Sequence, residues 1–346
     1  MIDFPKNINP IFIRKKLNRF LSEARKKAKP DVCILCGESQ TSFCNSHSVP
    51  QFALKTIATT GEVYQASLSM GLDYNIVDIK KGVNNSGTFN YICCSCDNSF
   101  FQDYENLENL EKTPTDKMLA EIAVKNFLLQ ISKRSIEKEL FKIQQRELNS
   151  FENPEELLDI QEVDCKEFYE EINFHKNIVD NNIQGGYQIL HYELLPYVVP
   201  VALQSAFTMR MDLEGRTINN VFEPNPEIRM QYIHLCILPL REKSMVLFFY
   251  HKRDKKYRNF RHQFNSISKE KKLRVINYLM FLYTENYYIS KTIKEEIDSN
   301  DKLKILCQDY NGYPNLGMVD YMGIVENYQP VTMDEIPNFL LEKWKN

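Results

Sequence analysis

Two CxxC pairs constrain this chain more than any other feature: Cys33-Ile34-Leu35-Cys36 and Cys93-Cys94-Ser95-Cys96. Two thiols three residues apart can be aimed at one point by a single tight turn, and Gly37 follows the first pair at once. Four thiolates delivered as two pairs are what a structural zinc takes, closing a tetrahedron at about 2.3 Å per bond. Cys33, Cys36, Cys93 and Cys96 are therefore the expected Zn²⁺ ligands, with residues 37–92 between the pairs. Cys44 and Cys94 are rival thiols, but either would break the paired spacing.

The cysteine count points the same way. Nine is odd, and four cluster as pairs, which favours metal-bound thiolates in a reducing cytoplasm over a disulfide framework. Cys165, Cys236 and Cys307 stand alone in apolar surroundings and read as core residues. The opening Met1-Ile2-Asp3-Phe4-Pro5-Lys6 lacks the apolar core of a signal peptide, and no stretch is long and apolar enough for a membrane helix. The expectation is a cytoplasmic protein with no membrane partner. A net charge of −3 excludes a polycation, so any nucleic-acid surface has to be a local patch.

Such a patch is available at residues 11–29. Ile13, Leu17, Phe20, Leu21 and Ala24 recur at helical spacing, while Arg14, Lys15, Lys16, Arg19, Arg25, Lys26, Lys27 and Lys29 carry positive charge. A phosphate footprint and a solvated surface helix both fit this pattern. Pro30 stops the helix. Residues 1–30 are thus a basic N-terminal helix, 31–112 the zinc module, 113–184 a helical connector and 185–346 a C-terminal domain. Inside the zinc module, 52–59 suit a short helix, 62–79 irregular strands and 97–110 a helix with Asp97 at its start. Thr113-Pro114-Thr115-Asp116 predicts a helix start with Thr113 as its cap, running to Leu148, and an acidic helix follows Pro154 to about Asn173.

Past Gly185-Gly186 the pattern turns to strands, at 187–195, 201–211, 216–222, 231–240 and 244–251. The turns at 212–215 and 241–243 are short enough to close antiparallel hairpins. Helices are expected from Ser268 to Leu282 and over 291–305. The fold class is α+β, an antiparallel sheet with helices packed on it. The run 252–262 interleaves basic residues with Tyr257 and Phe260, which suits either a backbone grip with base stacking or a solvated hairpin end.

The order CxxC, then Ser46-His47-Ser48-Val49-Pro50-Gln51-Phe52, then CxxC running into Asp97-Asn98-Ser99-Phe100-Phe101-Gln102-Asp103-Tyr104-Glu105, resembles the HNH endonuclease superfamily. It is most similar to a bacterial group with SHxxPxF and CxxC(D/E)xxFxxxE motifs, and it covers residues 33–105. The resemblance implies a ββα-metal unit on a treble-clef zinc scaffold that hydrolyses phosphodiester bonds with one divalent ion and one histidine. By position, His47 matches the general base, a task suited to a side chain that exchanges protons near neutral pH. Asp97 matches the last metal ligand, a carboxylate for Mg²⁺ or Mn²⁺. Asn90 stands roughly where an asparagine orients the base, with Asn85 as a rival.

Ser46 departs from the pattern, because the residue before the base is usually a metal-binding Asp or His. Glu105, eight helical residues after Asp97, is expected about 12 Å along the axis from it, too far to share an ion but able to serve a basic residue. The resemblance implies a nuclease acting on nucleic acid, namely DNA, in bacterial defence against phage. Residues 185–346 would then sense a trigger, bind a regulatory protein or form a homo-oligomer. The alternative is a zinc module that binds nucleic acid or a protein partner without cutting, Ser46 marking a decayed site.

Overall fold

The structure is a computed structural model and describes residues 10–66, 77–148, 154–221, 225, 227–311 and 331–346. In chain order the elements begin with α1 (Pro10–Lys27), β1 (Ser46–His47), α2 (Gln51–Ile57), β2 (Glu62–Ala66), β3 (Val77–Gly82) and β4 (Thr88–Phe89). Next come α3 (Cys94–Phe100), α4 (Leu107–Leu110), α5 (Asp116–Leu148), α6 (Pro154–Asp180), β5 (Tyr187–Leu195) and β6 (Val201–Phe207). The chain continues with β7 (Ile233–Pro239), β8 (Ser244–His251), α7 (Arg258–Ser266), α8 (Lys269–Tyr283), β9 (Tyr287–Ile289), α9 (Lys294–Ser299) and α10 (Asp301–Asn311). The fold is α+β, as the strand and helix patterns predict. It divides into two compact units, each discontinuous in sequence. One comprises Met1–Ser48, Thr88–Asn106 and Pro114–Gln184; the other comprises Val49–Gly87, Leu107–Thr113 and Gly185–Asn346.

In the first unit, α1 buries Phe20 and Ala24 against Ile143 of α5, while Lys15, Arg19, Arg25, Lys26 and Lys29 stay exposed. Each large apolar side chain so covered contributes about 1.5–3 kcal/mol. The Tyr91 hydroxyl donates to the Ala28 carbonyl, fixing the end of α1 next to the second cysteine pair. The long helix α5 begins at Asp116, so Thr115 rather than Thr113 is its cap, accepting the Met118 N–H at 3.3 Å. Leu119, Ile122, Ala123, Phe127 and Ile131 are buried as their spacing predicts. Helix α6 runs to Asp180, past the expected end, and packs on α5 through Phe127, Phe168 and His175.

The second unit is built on a seven-stranded antiparallel sheet in the order β3-β2-β9-β6-β7-β8-β5. The turn at 241–243 closes the β7–β8 hairpin, with Leu240 N–H on the Lys243 carbonyl at 2.7 Å. Val201 and Leu203 of β6, Ile233, Leu235 and Ile237 of β7, and Val246 and Phe248 of β8 form one buried cluster. Phe260 and Phe264 of α7 and Leu279 and Met280 of α8 complete it.

The sheet also takes in residues expected elsewhere. Residues 62–66 and 77–82 are strands, but β2 pairs with β9, so they extend this sheet instead of lying within a contiguous 31–112 module. Residues 67–76 of the expected strand region lie outside the described residues, as do Met1 to Lys6 and residue 222. Three residues are too few to show a period, which is why β9 escapes a reading of the sequence. Residues 216–221 form no strand, only a Met211–Thr217 bridge. The expected helix over 291–305 breaks into a 3₁₀ turn, α9 and α10. Tyr257 and Phe260 are fully buried, which removes them as stacking platforms for bases. Cys236 and Cys307 are core residues, whereas Cys165 is only half-buried. No helix among the described residues is long and apolar enough to cross a membrane.

Candidate metal centre

The first cysteine pair sits on a tight turn. Gly37 N–H bonds the Cys33 carbonyl at 2.8 Å, and Gly37 takes φ +74°, a left-handed conformation that costs glycine little. The second pair opens α3: Cys93 is the cap, its sulfur accepting the Cys96 N–H at 3.4 Å. A thiol thus caps α3, and Asp97 lies within its first turn. The sulfurs of Cys33, Cys36, Cys93 and Cys96 all lie within 4.8 Å of one another, a cluster that can hold a structural metal ion such as zinc. Burial pushes the Cys33 thiol up, but N–H groups of Cys36, Cys93 and Leu35 outweigh it and bring the pKa down to about 7. Cys44 lies outside this cluster; its thiol donates to Asp97 Oδ2 at 3.3 Å.

One residue after Cys96, α3 meets β1. Ser46 Oγ donates to Asp97 Oδ1 at 2.6 Å, joining residues 51 apart in sequence. Lys125 of α5 completes the junction, its Nζ lying 2.9 Å from Asp97 Oδ1, 3.1 Å from Ser46 Oγ and 3.2 Å from Glu105 Oε1. Its side chain is 1% exposed, against 18% for Asp97 and 37% for Glu105. Burial raises the Asp97 pKa, but the Lys125 ammonium and the hydrogen bonds from Ser46, Lys125 and Cys44 hold it below the ordinary carboxylate value.

Glu105 reaches this ammonium because α3 ends at Phe100. The expected helix over 97–110 does not run through: Phe101 and Tyr104 are buried in a turn at residues 101–105 that separates α3 from α4. The 12 Å separation of an unbroken helix therefore does not apply, and Asp97 and Glu105 share one cation. His47 pairs with Thr88 across the β1–β4 ladder and is half-buried, but the partners of Asp97 are Ser46, Cys44 and Lys125. Asn90 donates to the Cys44 carbonyl at 2.9 Å, so its amide braces the segment leading into β1. Asn85 ends a 3₁₀ turn in the other unit.

The Mg²⁺ or Mn²⁺ expected at Asp97 does not fit this donor set. Two unit charges about 4 Å apart interact by about 4 kcal/mol at an effective dielectric of about 20, and a divalent ion doubles that repulsion against an ammonium. Ser46 adds no negative charge to offset it. A reading of the sequence misses Lys125 although a signal exists: it interrupts the apolar run 118–131, where a buried lysine requires a partner. Glu121, one turn earlier on α5, is also 1% exposed and accepts the Tyr104 N–H at 3.0 Å. Burial pushes its carboxyl up to about 7. No family model, curated protein or solved structure matches the chain.

Proposed function

We propose that this chain is an HNH-type nuclease that hydrolyses phosphodiester bonds in nucleic acid, with DNA as substrate and phage defence as its setting. The observation that supports this best is the Ser46–Asp97 hydrogen bond. It brings together the strand and helix positions that the resemblance assigns to the active centre, one residue from the cysteine cluster. The cysteine knuckle, the β1–β4 pair and a helix capped by Cys93 and carrying Cys96 are the parts that a treble-clef scaffold would use in this reading. In this reading His47 takes a proton from the attacking water, zinc holds the scaffold, and the divalent ion that the resemblance implies is held by groups other than Asp97. Exposed basic residues of α1 meet the nucleic-acid backbone. The second unit serves as sensor, partner site or oligomer interface.

The test is cleavage of plasmid and single-stranded DNA, in the presence of Mg²⁺, Mn²⁺ or EDTA, by the zinc-loaded protein and by His47→Ala. Loss of cutting with zinc content unchanged supports His47 as base; cutting that persists in His47→Ala overturns that role. A second reading, a zinc module that binds without cutting, is favoured by Lys125 at the junction. Binding without cleavage under every metal condition supports it.

A further inference from the structure

We propose that Lys125 is the resident cation of the β1–α3 junction, and that its ammonium excludes a divalent ion from Asp97. The inference holds whether or not the module cuts nucleic acid, because it rests on geometry alone. An ammonium has three N–H donors. Lys125 has three oxygen partners, Asp97 Oδ1 at 2.9 Å, Ser46 Oγ at 3.1 Å and Glu105 Oε1 at 3.2 Å, and the Phe101 ring centre lies 3.7 Å from Nζ. Asp97 and Ser46 accept hydrogen bonds from the ammonium, Glu105 forms an ion pair with it, and the aromatic face covers a further side of the charge.

The size of the cage also matches an ammonium and not a small divalent ion. These oxygens stand at N–H···O distances from the centre, whereas Mg²⁺ demands near-octahedral oxygens at about 2.0–2.1 Å. A magnesium ion placed at Nζ would require the cage to contract by roughly 1 Å. Ser46 fits the ammonium well: its hydroxyl accepts from Lys125 while donating to Asp97, which a carboxylate at that position could not do. Lys125 is thus a positioning residue that ties strand, helix and turn to α5.

Mn²⁺ titration followed by the EPR signal of free Mn²⁺ tests this on the zinc-loaded full chain. Wild type should show no Mn²⁺ binding that Asp97→Asn removes. Lys125→Met should bind about one Mn²⁺ at least tenfold more tightly than wild type, and Lys125→Met with Asp97→Asn should lose that gain. Folding is checked by circular dichroism and zinc content. A folded Lys125→Met with no gain overturns the proposal, as does wild-type Mn²⁺ binding abolished by Asp97→Asn. If Lys125→Met does not fold, Lys125→Gln, which keeps a hydrogen-bond donor without the charge, is read by the same criteria.

Discussion

Cys96 and Asp97 are neighbours on α3, yet they belong to two opposite kinds of cation site. The cysteine cluster is a set of soft ligands brought within 4.8 Å of one another, an arrangement that gains its energy from an added metal. The junction brings hard oxygens together around an ammonium supplied by the chain itself. Convergence of ligand-type residues therefore does not by itself define a metal site. What decides is whether a side-chain cation already stands among them.

Removing the metal should produce the largest effect. Structural zinc in small modules is worth about 10–16 kcal/mol in apparent binding energy at neutral pH. Cys93→Ser or Cys96→Ser should therefore lose zinc by elemental analysis and lose the cooperative melting of the first unit. Retained melting without metal would remove the contrast between the two sites.

Lys125→Met should come next, costing about 3–5 kcal/mol because it leaves partly buried carboxylates without their cation. Denaturant unfolding of Lys125→Met, Asp97→Asn and the double variant measures the coupling directly. A double variant no more destabilised than Lys125→Met supports the pairing, and strictly additive losses contradict it.

Glu121 sharpens the comparison through pH. Its folded-state pKa of about 7 lies above the ordinary 4.5. The stability linked to its proton is therefore complete below about 4.5 and is lost as pH rises through 7. Glu121→Gln should gain on wild type as pH rises from about 5.5 to about 8.5, by about 2–3 kcal/mol at the upper end. A stability difference independent of pH would contradict the raised pKa.

The smallest effect belongs to α1. Replacing Arg25, Lys26 and Lys29 by Ala should weaken DNA binding and flatten its salt dependence, by up to about 0.9 in log–log slope for each phosphate no longer neutralised. An unchanged slope would leave α1 as a solvated helix.

The soft site is legible in the sequence and the hard one only half so. Paired spacing encodes a cysteine knuckle locally, so Cys33, Cys36, Cys93 and Cys96 stand out without the fold. Asp97 can be singled out, but its partner comes from α5, 28 residues away, and helical periodicity marks that position as core. Glu105 pairs with a basic residue as its sequence position suggests, but its separation from Asp97 is misread for a related reason. Where a helix stops depends on burial of Phe101 and Tyr104, which no capping signal announces. The sheet is legible where hairpins are short, as in β7–β8, and not where β2 pairs with the distant β9.

Helix α3 thus serves two cation positions, one whose cysteines can hold a metal ion and one filled by Lys125. Anomalous diffraction from crystals grown with zinc and Mn²⁺ tests this most directly. The predicted result is a zinc peak among Cys33, Cys36, Cys93 and Cys96, with Lys125 Nζ within hydrogen-bond distance of Asp97 and no manganese peak there. A manganese peak bound by Asp97, with the Lys125 side chain displaced, would contradict it.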